Sequence, residues 1–139
     1  MKMRRLYIAL VCTQALHSAE EIAFGFYRRT PEIGARIKTI IPSFPILSMS
    51  ATVFILLNIA LVAILAASLP FVYRGTKYSR VMVRALGIAE FYNGAAHMTM
   101  AVVAGGYFPG AASAVVLFVL SVFVLRSTLR PEPIGVPRS

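Results

Sequence analysis

The sequence has no aspartate, and its five acidic residues stand against fourteen lysines and arginines. It has a single cysteine, Cys12. A lone cysteine excludes an intrachain disulfide and any CxxC-type metal site. Lying in an apolar run, Cys12 is expected to be a small buried packing residue. A net charge of +9 raises the question of nucleic acid. There is no basic helical face and no aromatic platform for stacking bases, so nucleic acid is not an expected partner. The basic residues sit at the ends of apolar runs instead, as topology signals and lipid-headgroup contacts do.

What is present in excess is apolar sequence. The 139 residues are 58% hydrophobic, with a mean hydropathy of +0.77. A soluble domain is about half apolar or slightly less. Four apolar runs stand out, at about 6–26, 46–72, 81–104 and 111–125. The first three reach the ~20 residues that cross a bilayer as a helix, and the fourth does so if it continues to about Leu129. The runs are too long for tilted strands, and only helices or closed barrels satisfy the backbone in lipid. The expected fold is therefore all-α, a bundle of four transmembrane helices over residues 1–130. Residues 131–139 are expected to form a disordered tail.

The connections carry turn residues. RRTPEIGARIKTIIPSFP joins the first two runs, with Pro31, Pro42 and Pro45 unsuited to helix interiors. Its centre is expected to form a short amphipathic helix on the membrane surface. YRGTKYSR joins runs two and three, and GGYFPG joins three and four. MKMRR before an apolar stretch resembles a signal peptide, but that stretch is broken by Thr13 and Gln14. LHSAEE is a poor cleavage site, and Val11 is too large for a lipoprotein signal at Cys12. The segment is expected to be retained.

With four spans, Lys2, Arg4, Arg5, Arg74, Lys77, Arg80, Arg84, Arg126, Arg130 and Arg138 fall on one side, against Arg28, Arg29, Arg36 and Lys38 on the other. The bias predicts both termini in the cytoplasm, hence an integral multi-pass protein, of a bacterial inner (cytoplasmic) membrane. Membrane lipids are expected partners, with a homo-oligomer or a larger membrane complex.

Against that background the placement of charge is informative. Three of the five acids, Glu20, Glu21 and Glu90, lie inside the runs, as do both histidines, His17 and His97. Ionisable groups at that depth cost about 2.5–3.5 kcal/mol each and mark functional sites by default. His17, Glu20 and Glu21 are spaced i, i+3, i+4, with Gln14 a turn earlier; Glu90, Asn93 and His97 are spaced i, i+3, i+7. Each set shares one helix face. Counting depth at 1.5 Å per residue predicts His17 level with Glu90, and Glu20–Glu21 level with His97. Imidazole and carboxylate together suit zinc, iron or manganese, and helical bundles build such sites from facing helices. The expected ligands are His17, Glu20, Glu21, Glu90 and His97, not all at once. Glu20 or Glu21 is the expected general base, and Gln14, Asn58, Asn93 and Tyr107 are expected around the site.

His17-Ser18-Ala19-Glu20-Glu21, a second histidine at His97 and Tyr107-Phe108-Pro109-Gly110 together resemble the signature of the HXXEE-domain family. The three features run from 17 to 110. The resemblance implies a multi-pass membrane protein and no particular activity. The residues themselves point to a metal-dependent membrane enzyme acting on an apolar or lipid-like substrate. The alternatives are a proton or cation transporter or channel subunit, and a non-catalytic subunit of a membrane complex.

Overall fold

Proline and glycine divide the chain where the sequence suggests. The computed structural model describes residues 2–46, 48–74 and 77–129. Among these residues it is all-helical: α1 (Lys2–Ala23), α2 (Thr30–Ile40), α3 (Ala51–Arg74), α4 (Lys77–Ala104) and α5 (Ala111–Leu129), with a single 3₁₀ turn at Phe26–Arg28. The tail expected at 131–139 lies outside the described residues.

Each boundary has a local cause. Gly25 takes φ 69° just past the end of α1, a left-handed position that suits glycine. Pro31 opens α2, with Glu32 in its first turn and Lys38 in its last; each complements the helix dipole. The Ser50 hydroxyl accepts the Val53 N–H (3.2 Å) and so caps α3, which starts at Ala51 and not at 46. α5 does continue to Leu129.

α1 packs against α5 and α3, and α4 against α5. The α4–α5 contact is close because Gly94 has no side chain. A Cβ there would stand 2.9 Å from both the Ala114 carbonyl oxygen and the Phe118 Cβ, a small-residue contact typical of membrane helices. An apolar core of Tyr7, Leu10, Leu65, Val83, Leu117 and Val124 fills the end of the bundle that holds the start of α1. There the Tyr7 hydroxyl is hydrogen-bonded to Ser68 of α3.

Toward the other end the usual inside–outside order is reversed. Thr13, Gln14, His17, Ser18, Glu21, Glu90 and His97 are buried, while Leu16, Phe24, Ile88, Val102 and Val103 are exposed. Among the described residues, polar and charged side chains are buried as often as apolar ones. Cys12, expected inside, is exposed, because the inner face of α1 is taken by Tyr7, Leu10, Val11 and the polar stripe. Among the described residues, two helices are long and apolar enough to cross a membrane: α3, with only 17% of its apolar stretch buried, and α5 over Ala111–Thr128. α1 and α4 are longer than α5, but the polar and ionisable residues within them lower their hydropathy below that class.

Candidate metal centre

The polar residues converge where α1, the end of α4 and the start of α5 meet. His17, Glu21 and His97, all buried, each offer one ligand atom, and these atoms lie within 4.8 Å of one another. Glu21 Oε1 is 3.1 Å from His97 Nε2 and 3.6 Å from His17 Nε2. The two imidazoles meet edge to face, with centroids 4.6 Å apart. Phe26 lies 5.1 Å and Phe108 5.9 Å from the His97 ring.

The hydrogen bonds on the far side of each ring set its protonation. His97 Nδ1 is 2.8 Å from the Pro109 carbonyl. A carbonyl only accepts, so Nδ1 carries a proton, and in the neutral ring Nε2 keeps its lone pair. His17 Nδ1 is 2.9 Å from the Ser113 hydroxyl. The Ser113 hydroxyl donates to Glu20 Oε2 (2.5 Å), so it accepts from His17, whose Nε2 lone pair is likewise left free. These tautomers are inferred from the network. His17 Nε2 is buried and has no hydrogen-bond partner. With both rings neutral, two imidazole lone pairs and a carboxylate thus face one another, a donor set that a cation would fill. A second hydrogen bond of this kind is the usual device that orients a metal-binding histidine.

Gly110 makes the convergence possible. At φ 88° its backbone runs against both rings. A Cβ there would sit 2.7 Å from His97 Nδ1 and 2.8 Å from His17 Cε1. The YFPG segment is therefore more than a turn: Pro109 supplies a carbonyl, Gly110 the space, and Tyr107 a hydroxyl for Glu20.

Glu20 stands outside the trio. Its Oε1 accepts the Tyr107 hydroxyl (2.6 Å) and the Ala112 N–H (3.1 Å). Its Oε2 accepts the Ser113 N–H (2.8 Å) and hydroxyl. The first N–H groups of a helix lack intrahelical acceptors, and Glu20 satisfies two of them at the start of α5, where negative charge is favoured. Tyr107 lies between α4 and α5. Partial desolvation, then its hydrogen bond to Glu20, then the charge on Glu20 push its hydroxyl from 10.0 up to about 12.

The other expected residues are distributed around this core. Glu90 is buried and accepts the Asn93 amide (3.3 Å); it lies outside the trio and does not pair with His17. Gln14 is buried, donates to the Ser18 hydroxyl (3.3 Å), and leaves its Oε1 without a partner. Asn58 is buried but donates to the Phe54 carbonyl of its own helix (3.1 Å), so it is not tied to the centre. Ser113, Pro109, Gly110, Phe26 and Phe108 were not foreseen as site residues. Ser113 had one visible signal: a polar residue three positions past the Tyr-x-Pro-Gly motif, opening an apolar run.

The described residues thus form an all-helical fold with two membrane-length apolar helices and a buried two-histidine, one-carboxylate cluster. The chain belongs to the family described as proteins of unknown function with an HXXEE motif, whose model matches residues 8–125. No curated protein and no solved structure matches it. The three lettered positions of the motif divide here: His17 and Glu21 face the cluster, and Glu20 holds α5.

Proposed function

We propose that this chain is a four-span integral membrane protein, with both termini cytoplasmic, whose His17, Glu21 and His97 bind one divalent ion: zinc, iron or manganese. The centre serves an enzyme acting on an apolar or lipid-like substrate. The observation that carries this reading is the convergence of two Nε2 lone pairs on the Glu21 carboxylate, each ring held by a hydrogen bond at Nδ1. Three protein ligands leave coordination positions open, as catalytic sites require. When bound, the ion would polarise a substrate oxygen or activate water. His17 and His97 keep their orientation through Ser113 and Pro109, Glu21 supplies the charge, and Phe26 and Phe108 limit access of water to the His97 side.

Four spans are supported by the reversed order of the bundle. Many of the polar residues that lower the hydropathy of α1 and α4, among them Gln14, His17, Glu21, Glu90 and His97, are buried, while Leu16, Ile88, Val102 and Val103 face outward. The distribution of basic residues supports the orientation. His97 is seven residues before the end of α4, which at 1.5 Å per residue sets the centre roughly 10 Å below the outer surface. There it meets the ends of acyl chains nearest the headgroups.

Two experiments test the reading. Elemental analysis of detergent-purified protein is expected to give about one equivalent of metal, lost in both His17→Ala and His97→Ala; native protein without metal, purified free of chelators, would overturn it. Labelling of engineered cysteines in intact cells, in a Cys12→Ser background, is expected to reach positions 105–110 from outside and positions 74 and 77 only from inside. The reverse pattern would refute the orientation, and outside labelling at both places the four-span topology.

A further inference from the structure

Between α2 and α4 runs an apolar groove of about 330 Å³. One wall is Ile33, Ile37 and Ile40 of α2; the other is Met100, Val103 and Ala104 of α4. Few protein contacts cover the apolar side of α2: Gly34 is its one buried residue, Ile40 is 82% exposed, and Val103 opposite is 61% exposed. An apolar groove of this size, with a few polar groups at its side, is the form of a small-molecule site. Phe108 belongs both to the groove and to the centre, since its ring also lies against His97.

The polar groups lining the groove specify the sign of the ligand's charge. Arg29 and Arg36 both line it, with Glu32 between them. Arg29 donates to Glu32 Oε2 (3.0 Å) and Arg36 to Oε1 (3.3 Å). One carboxylate offsets only one of two guanidiniums, and both arginines remain about half exposed. The spare positive charge and the planar donor geometry of arginine suit a carboxylate head.

We propose that this groove binds a single-chain anionic lipid of the fatty-acid class, its acyl chain between α2 and α4 and its carboxylate against Arg29 and Arg36. We infer that this lipid is the substrate class of the metal centre. The binding site rests on the groove alone; the substrate role rests on the metal reading above.

The test is photolabelling of the full chain in zwitterionic nanodiscs with a diazirine-bearing long-chain fatty acid and the matching alcohol, with metal content measured on the same samples. The acid is expected to label peptides spanning 29–40 and 99–108, to be displaced by unlabelled acid, and to exceed the alcohol several-fold. Val103→Trp, a change at an exposed position, is expected to remove most of that labelling and leave metal unchanged. Arg29→Gln with Arg36→Gln is expected to bring the acid down to the level of the alcohol. Equal labelling by acid and alcohol in the native chain, labelling concentrated on the outer face of α3, or unchanged labelling in Val103→Trp would each overturn the lipid site. Metal with no groove labelling would overturn this proposal and leave the metal reading standing. Groove labelling on metal-free protein would overturn the substrate role and the metal reading together.

Discussion

On one side of α1 the Glu20 carboxylate meets four donors from the α4–α5 connection and the start of α5. On the other side, one residue later, Glu21 faces two imidazole nitrogens whose lone pairs point toward it. Successive residues on a helix diverge by about 100°, so adjacent glutamates cannot serve one surface. The first ties α1 to α5. The second is left short of positive charge in a buried place, and that shortage is what a cation would relieve. A doubled carboxylate is therefore an anchor beside a ligand.

The largest expected effect separates the two glutamates. Glu21→Gln is expected to abolish metal binding with little loss of thermal stability, since glutamine keeps the shape and an acceptor oxygen of Glu21 while removing its buried charge. Glu20→Gln is expected to do the opposite. Losing charge-assisted bonds at the start of α5 costs about 1.5–3 kcal/mol, while metal affinity falls only ~10–100-fold, as for other outer-shell partners. Metal titration and thermal unfolding of the solubilised protein read both quantities. Equal effects from the two variants would break the comparison.

Gly110→Ala comes next. A Cβ on a φ of 88° that also meets both rings at under 3 Å is expected to cost about 1–3 kcal/mol of strain and to push the imidazoles off the shared centre. Metal occupancy should fall further than stability; normal occupancy would show that the rings do not depend on Gly110. Ser113→Ala leaves the His17 Nδ1 proton without its acceptor and Glu20 without one donor. It is expected to lower metal affinity ~10–100-fold, an effect that Ser113→Thr should largely avoid.

Much of this was legible in sequence because polar residues inside apolar runs are conspicuous. His17, Glu21 and His97 could be named, and depth counting correctly placed Glu21 level with His97. Depth does not determine rotation. α1 packs on α5 and α3, and α4 on α5, so the two polar stripes meet beside the start of α5 and not face to face. That is why His17 lies against His97 and not Glu90, and why Glu20 is claimed by backbone N–H groups that no residue pattern reveals. The roles of Pro109 and Gly110 were hidden for a similar reason: a carbonyl and a missing Cβ leave no mark beyond a turn signature.

The smallest effect concerns Tyr107. Tyr107→Phe removes one donor from Glu20 in a half-exposed position and is expected to cost about 1 kcal/mol or less, with metal content unchanged. Its hydroxyl is held at about 12, above its ordinary 10.0. A group raised in the folded state stabilises fully below its unfolded value and loses that effect as pH rises through the folded one. The contribution of Tyr107 should therefore persist to about pH 10 and fade toward pH 12. A spectrophotometric titration of the native chain against Tyr107→Phe would show one tyrosine ionising late; a difference titrating near pH 10 would contradict the Tyr107–Glu20 bond.

X-ray absorption spectroscopy of protein purified without chelators tests the central claim most directly. The result expected is a zinc, iron or manganese edge whose first shell holds two imidazole nitrogens and carboxylate or water oxygen, falling to one imidazole or to no bound metal in His97→Ala. No edge above background, or a first shell of oxygen alone that His97→Ala leaves unchanged, would contradict it.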